Sequence, residues 1–273
     1  MLALVAAIGL AVAVNQCSGK PILFLRWSFL RAVFGVRHMG ATWQVGDGRE
    51  QALAEYVCTN ARRNDVGDVI RVIDDFCYHK SFLINVGDEK GQILDRAVTT
   101  ANPHRLLELG TYCGYSALRI ARTMPSDATL YSIEFSSANA VVARRIWDHA
   151  GIGDRIVGIV GTLGDDGATL SKLRDEFGFA CSALDFVFLD HDKAEYLRDL
   201  QRIVDQGWLH QGSIVVADNV KRPGAPEYRA FMRSQEGLTW HTQEHQTHLE
   251  YQKIVKDVVF ESTYIDRNES TTR

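Results

Sequence analysis

The chain has 273 residues, 46% of them hydrophobic and 23% charged, with a net charge of −4. This is an ordinary globular composition, which excludes a disordered, collagen-like or polytopic membrane chain. The slightly acidic balance argues against a general nucleic-acid binder.

The charge is unevenly placed. Four of the 30 basic residues, Lys20, Arg26, Arg31 and Arg37, precede the first acidic residue, Asp47. A basic, apolar head therefore leads into a body with 26 basic and 34 acidic residues. Residues 2–19 carry no charged side chain, and Leu2–Val14 is almost wholly apolar. A membrane-spanning helix needs ~20 such residues, so the run is of borderline length. A secretory signal has a similar core, and Ala11-Val12-Ala13 would suit its cleavage, but no Lys or Arg precedes the run. Pro21–His38 interleaves large apolar residues with Arg26, Arg31 and Arg37, the make-up of an interfacial helix on an anionic membrane. Residues 1–45 are thus expected to be a membrane-associated segment and linker. The positive flank lies after the run, which places the body on the cytoplasmic side.

Glycines 40, 46 and 48 mark the linker into the body, residues 46–273. Helical spacing of apolar residues predicts helices over Arg49–Ala61, Asp68–Tyr78 and Asp88–Ala101. Short apolar runs follow at Leu106–Leu109, Leu130–Ile133, Ile156–Val160, Phe186–Leu189 and Ile214–Ala217. Helix-length segments such as Ser116–Thr123 and Ala138–Ala150 separate them. Strands alternating with helices predict a mostly parallel sheet covered on both faces. The tail, Trp240–Glu261, predicts an antiparallel edge hairpin with strands at Leu249–Tyr251 and Ile254–Phe260. The five cysteines are odd in number and contain no C-x-x-C pair, which predicts free thiols. The sequon Asn268-Glu269-Ser270 is a three-residue match and carries little weight.

Ligands of open α/β sheets bind beyond the carboxyl ends of the strands. The first run ends in Glu108-Leu109-Gly110-Thr111-Tyr112-Cys113-Gly114-Tyr115-Ser116, and the second in Glu134. The G-x-x-x-G spacing is not the dinucleotide fingerprint and lacks the P-loop lysine. Glu134, 24 residues beyond Gly110, can accept hydrogen bonds from both ribose hydroxyls. A glycine loop with this acid fits a nucleoside without a pyrophosphate, with S-adenosylmethionine the obvious candidate. The fourth and fifth runs end in Asp190 and in Asp218-Asn219. Three oxygen donors on neighbouring strand ends suit magnesium, which keeps positions for water or substrate. The plain alternative is an Asp/Asn pair capping a turn. Lys193, three residues past Asp190, is a candidate general base; the plain alternative is a solvated lysine. His241, His245 and His248 are taken as packing or solvated residues, because metal histidines need an organised surround.

These stretches, with Asn85-Val86-Gly87-Asp88, Phe188-Leu189-Asp190-His191, Ala217-Asp218-Asn219-Val220, Pro223-Gly224-Ala225-Pro226 and Leu249-Glu250-Tyr251, resemble animal catechol O-methyltransferase from about Gly46 to Glu261. The head is similar to that family's membrane-anchored form. The resemblance implies a class I, Rossmann-like methyltransferase fold with a mostly parallel seven-stranded sheet. It implies magnesium-dependent methyl transfer from S-adenosylmethionine to one hydroxyl of a catechol of the catecholamine type. Val86, Glu108, Gly110, Tyr112, Ser116, Glu134, Asp190 and His191 would contact the methyl donor. Asp190, Asp218 and Asn219 would hold magnesium, Lys193 would be the base, and Glu250 would hold the second hydroxyl. Phe82, Asp192, Lys193, Asn219, Pro223 and Glu250 would surround the substrate. Phe82 and Asp192 replace tryptophans usual in that family, Ile84 replaces a methionine near the methyl donor, and Leu163-Gly164 replace a polar pair near the adenine. Two alternatives remain: another aromatic diol as substrate, and an interaction or trafficking role on the same scaffold. The second would go with an eroded metal set, whereas Asp190, Lys193, Asp218 and Asn219 all stand.

Overall fold

The computed structural model describes residues 9–15, 26, 28–30 and 44–265. Three helices open the body: α1 (Arg49–Asn60), α2 (Val66–His79) and α3 (Gly87–Ala101). Strands and helices then alternate through β1 (Arg105–Leu109), α4 (Tyr115–Thr123), β2 (Thr129–Glu134), α5 (Ser137–Ala150), β3 (Ile156–Val160), α6 (Ala168–Asp175), β4 (Leu184–Leu189), α7 (Tyr196–Asp205) and β5 (Leu209–Ala217). Helix α8 (Pro226–Ser234) leads to the closing hairpin, β6 (Trp240–His248) and β7 (Lys256–Tyr264). The strands form one sheet in the order β3-β2-β1-β4-β5-β7-β6. Strands β1 to β5 run parallel, and β7 pairs antiparallel with both β5 and β6.

The apolar runs are continuous because both faces of the sheet are covered, as parallel sheets require. Leu106, Phe186, Phe188 and Val216 point into a core shared with α1 to α5. Leu107, Leu109, Val187, Leu189, Val215 and Ala217 point into a second core shared with α6, α7 and α8. Successive strand residues thus alternate between the two cores. The chain order reverses between β1 and β4, so the loops leaving those two strands diverge and open a crevice at their carboxyl ends.

The sheet and its edge hairpin agree with the sequence expectation, with one correction. Leu249–Tyr251 is not a strand: β6 ends at His248, and Glu250 and Tyr251 form the turn. Tyr251 holds a left-handed φ of 53°, which no strand residue adopts. Residues 44 and 45 of the expected linker pack against the body. Val45 is buried and its N–H donates to Glu50 Oε1 at 2.9 Å, while Gln44 bonds Asn139 at 2.9 Å.

Of the head, residues 9–15 are helical and residues 28–30 form a helical turn. Among the described residues no helix is long and apolar enough to cross a membrane. Most of the expected apolar span, the rest of the Pro21–His38 segment and the sequon lie outside the described residues. Within that segment the interfacial reading is corrected at Arg26. Its guanidinium donates to the Cys77 carbonyl and is 3% exposed, so it meets the body instead of a lipid headgroup. Cys58, Cys77, Cys113 and Cys181 are free thiols, as expected; Cys17 is outside the described residues.

Candidate active site

A cavity of about 570 Å³ opens at the carboxyl ends of β1, β2 and β4. That size is ordinary for a small-molecule site. Its wall includes Val86, Gly110, Tyr112, Ser116, Glu134, Asp190, His191 and Asp192, so all the expected cofactor residues except Glu108 reach it. Ile84, Leu163 and Gly164, three of the positions that depart from the family pattern, also line it.

The β1–α4 loop is shaped by its glycines. Gly110 has φ 100°, and a Cβ there would lie 2.4 Å from the Asp190 carbonyl. The loops after β1 and β4 therefore cross at backbone contact, which only glycine permits. Gly114 has φ 81°, and a Cβ there would lie 2.4 Å from Trp147 Nε1, whose N–H donates to the Gly114 carbonyl at 3.0 Å. Tyr112 is fixed at both ends. Its N–H donates to Glu134 Oε2 at 2.7 Å, and its hydroxyl donates to Glu50 Oε1 of α1 at 2.9 Å.

Glu134 also accepts from the Ser136 N–H at 2.8 Å. Burial raises its pKa above the usual carboxylate range, and the backbone donors oppose that shift. Glu108 lies deeper and is fully buried. Its oxygens accept from Ser116 Oγ, at 2.5 Å, and from Ser132 Oγ. Burial pushes its carboxyl up to about 7, against the two serine hydroxyls. Glu108 thus braces Ser116, which faces the cavity, from behind.

His191 stacks on Tyr196 with ring centroids 5.0 Å apart, and its Nε2 lies 2.8 Å from Asp199 Oδ2. With that nitrogen donating to the carboxylate, Nδ1 is left as a buried acceptor without a protein partner. Asn85 Oδ1, on the cavity wall, is likewise buried and unmatched. Two orphaned acceptors and an ionisable acid on one cavity fit a ligand rich in N–H and O–H donors, such as an aminoacyl nucleoside.

A second cluster stands at the ends of β4 and β5. Lys193 Nζ lies 2.8 Å from Asp190 Oδ1 and 2.7 Å from the Tyr196 hydroxyl. Tyr196 is buried and donates to the Leu189 and Asp218 carbonyls, tying the two strand ends together. Asn219 donates through Nδ2 to Glu250 at 3.1 Å and to Asp257 at 3.0 Å. Glu250 sits against α3, because a Cβ on Gly87 would lie 3.4 Å from its Cα. Asp192 and Pro223 are exposed, and Phe82 is 8% exposed beneath Phe29 and Val45.

Two members of this cluster were not anticipated. Lys90, fully buried, places Nζ 2.5 Å from Glu250, 2.8 Å from Asp218 and 3.5 Å from Asp257. Asp257 also accepts from the Arg222 N–H at 2.8 Å, which fixes the loop carrying Pro223. A signal for Lys90 existed: it sits one helical turn past Val86-Gly87, on the buried side of an amphipathic helix. Asp257, the second residue of β7, had none.

Burial pushes the Asp218 carboxyl up to about 7, with Lys90 pulling the other way. The Glu250 carboxyl lies below its usual range, because the Lys90 ammonium and the Asn219 amide outweigh its burial. Among the described residues no three His, Cys, Asp or Glu side chains form a ready metal cage. The expected set contains only two such residues plus an amide. Its donors still fit a divalent cation: among the described residues four carboxyl groups, Asp190, Asp218, Glu250 and Asp257, stand against two lysines, Lys90 and Lys193. The three tail histidines each pair with a different glutamate, His241 with Glu236, His245 with Glu261 and His248 with Glu89.

A family model described as O-methyltransferase matches residues 67–229. A probable O-methyltransferase of Mycobacterium tuberculosis is 60% identical over 231 residues, covering 85% of this chain and 98% of the relative. Catechol O-methyltransferase B of Danio rerio is 41% identical over 203 residues, 74% of each chain. A crystal structure of a Bacillus cereus O-methyltransferase, in complex with S-adenosylhomocysteine by its description, superposes with a TM-score of 0.58 at 19% identity, over 78% of this chain and 97% of that one. The resemblance to the animal membrane-anchored form is corrected by these findings. A bacterial chain shares far more of the sequence than the fish enzyme does, along nearly its whole length.

Proposed function

The chain belongs to the O-methyltransferase family, transferring a methyl group from S-adenosylmethionine, and from that premise we propose that its acceptor is a catechol and its reaction magnesium-dependent. The observation that carries the reading is the excess of carboxyl groups over lysines, four against two, at the ends of β4 and β5, beside the cavity that fits the methyl donor. A neutral phenol would not need that excess. A vicinal diol chelated to a divalent ion would use it.

In this reading Val86, Gly110, Tyr112, Ser116, Glu134 and His191 hold S-adenosylmethionine, which supplies an electrophilic methyl group. Asp190, Asp218 and Asn219 would hold magnesium, which would supply Lewis acidity to the acceptor. Glu134, braced by backbone N–H groups, accepts from ribose hydroxyls. Lys193 takes the proton of the attacking hydroxyl. Its place between Asp190 and the Tyr196 hydroxyl fixes Nζ at the strand end where that oxygen arrives. Glu250, kept ionised by Lys90 and Asn219, accepts the hydrogen bond of the second hydroxyl. Asp192, exposed on the cavity wall, and the exposed Pro223 would border the acceptor. Fixing both reactants in line is itself a large part of such catalysis, ~7–11 kcal/mol where geometry is ideal.

The test is methyl transfer by the full chain to a panel of catechols and monophenols, with magnesium and with a chelator. Turnover of catechols that chelation abolishes is expected. Equal turnover of monophenols, or turnover indifferent to chelation, would overturn the reading.

A further inference from the structure

Phe82 is held from three sides, and two of them belong to the segment before the catalytic body. Its N–H donates to Ser28 Oγ at 3.2 Å. Its ring meets Phe29 edge-on, with centroids 5.3 Å apart and planes at 70°. Its carbonyl accepts from Arg49 Nη1 at 2.6 Å. The anchors are joined, because Arg49 Nη2 donates to the Ser28 carbonyl at 2.8 Å.

The segment is itself pinned. Arg26 donates to the Cys77 carbonyl near the end of α2, and the N–H groups of Phe29 and Leu30 return to the Arg26 carbonyl at 3.0 and 3.1 Å. Arg26 and Ser28 are 3% and 2% exposed, a burial that surface tethers do not show. Phe29, Val45, Phe82 and Ile84 form a small apolar cluster apart from the two main cores. Ile84 belongs to both this cluster and the cavity wall.

We propose that Arg26, Ser28 and Phe29 are positioning residues for the aryl end of the site. They set Phe82, and through it the apolar face that Ile84 presents to the substrate ring. The effect of Ser28 and Phe29 stays local because the next residues have anchors of their own. Asn85 donates to the Tyr251 hydroxyl at 3.3 Å, and Gly87 opens α3 against Glu250. Asn85 also donates to Cys77 Sγ at 3.4 Å, so its cofactor contact is tied to Arg26, which holds the Cys77 carbonyl, rather than to Ser28 or Phe29. The proposal rests on the catechol reading only for the identity of the ring.

Two measurements on the full chain test it. The first is steady-state kinetics of Phe29→Ala and Phe29→Leu with catechol, beside calorimetric binding of S-adenosylmethionine. Phe29→Ala is expected to raise the KM for catechol about fivefold or more, with the kcat and cofactor affinity within about twofold and Phe29→Leu between it and the parent. The second is hydrogen exchange of the Phe82 amide in Ser28→Ala, which removes one hydroxyl and little volume. It is expected to speed about tenfold or more, because its hydrogen-bond acceptor is gone. Folded variants with unchanged catechol KM and unchanged exchange would overturn the proposal. So would a loss of cofactor affinity equal to the loss of substrate affinity. If the parent protein methylates no catechol, the substrate reading falls, and the exchange measurement alone decides this proposal.

Discussion

At the ends of β1 and β2 the site is made largely of backbone: two glycines at positive φ, and a single cavity-facing carboxylate, Glu134, held by the N–H groups of Tyr112 and Ser136. At the ends of β4 and β5 it is made of charge: four carboxylates and two lysines drawn from five separate stretches of chain. The first region uses near neighbours, so its cost is small and its geometry is set locally. The second buries ions, which is costly unless every charge is matched. The contrast suggests a division of labour. In the proposed reading the shape-fitting half would hold S-adenosylmethionine, and the ionic half would hold a cation and an acceptor whose protons must move.

Removing Lys90 breaks the ionic half most severely. Lys90→Met leaves Asp218, Glu250 and Asp257 without their shared cation, and a loss of ~3–5 kcal/mol is expected from uncompensated buried charge. Urea unfolding at pH 8 and pH 5 measures it. The loss should shrink at the lower pH, where the carboxyls take up protons instead. An equal loss at both values would mean that the lysine contributes packing only.

Lys193→Ala keeps the fold and removes the proposed base. A fall in kcat of ~10²-fold or more is expected, with calorimetric affinity for S-adenosylmethionine unchanged. A fall in cofactor affinity would merge the two halves that the comparison separates. Glu134→Gln tests the other half. Its expected effect is a weaker cofactor complex by ~2 kcal/mol, about thirtyfold in Kd, with the magnesium dependence of turnover retained.

The smallest effect is on the pH dependence of stability. Glu108 has its folded pKa raised to about 7 by burial, above the ordinary glutamate value of ~4.3. A carboxyl raised on folding favours the folded state while protonated. Its contribution is complete below its unfolded pKa and is lost as pH rises through about 7. Glu108→Gln should therefore flatten the fall in melting temperature between about pH 4.5 and 7.5. An undiminished slope would assign the pH dependence to Asp218 and the ionic half.

Much of the shape-fitting half was legible in the linear sequence. Gly110, Gly114, Tyr112 and Glu134 lie within 25 residues, in one strand–loop–helix–strand unit, and their spacing follows from local backbone geometry. Glu108 was legible as a residue but not as a brace, because its second serine partner, Ser132, meets it only when β1 and β2 pair. In the ionic half Asp190, Asp218 and Asn219 could be found at strand ends. Lys90 was marked only by its place on the buried side of α3, and Asp257, at the start of β7, by nothing; the two lie more than 160 residues apart. Leu249–Tyr251 was misplaced as a strand because its alternating pattern does not reveal the left-handed turn at Tyr251. Phe82 was placed as a substrate wall without the cover that Phe29 and Val45 provide.

What the sequence determined by itself is the alternating architecture, the glycine-shaped cofactor loop and the acidic strand ends. Each depends on periodicity or on residues close in the chain. What only the tertiary structure decided is the charge balance beside the cavity and the docking of Arg26, Ser28 and Phe29 onto the body. Coulombic matching and packing act through space, and the partners they select can lie anywhere along 273 residues.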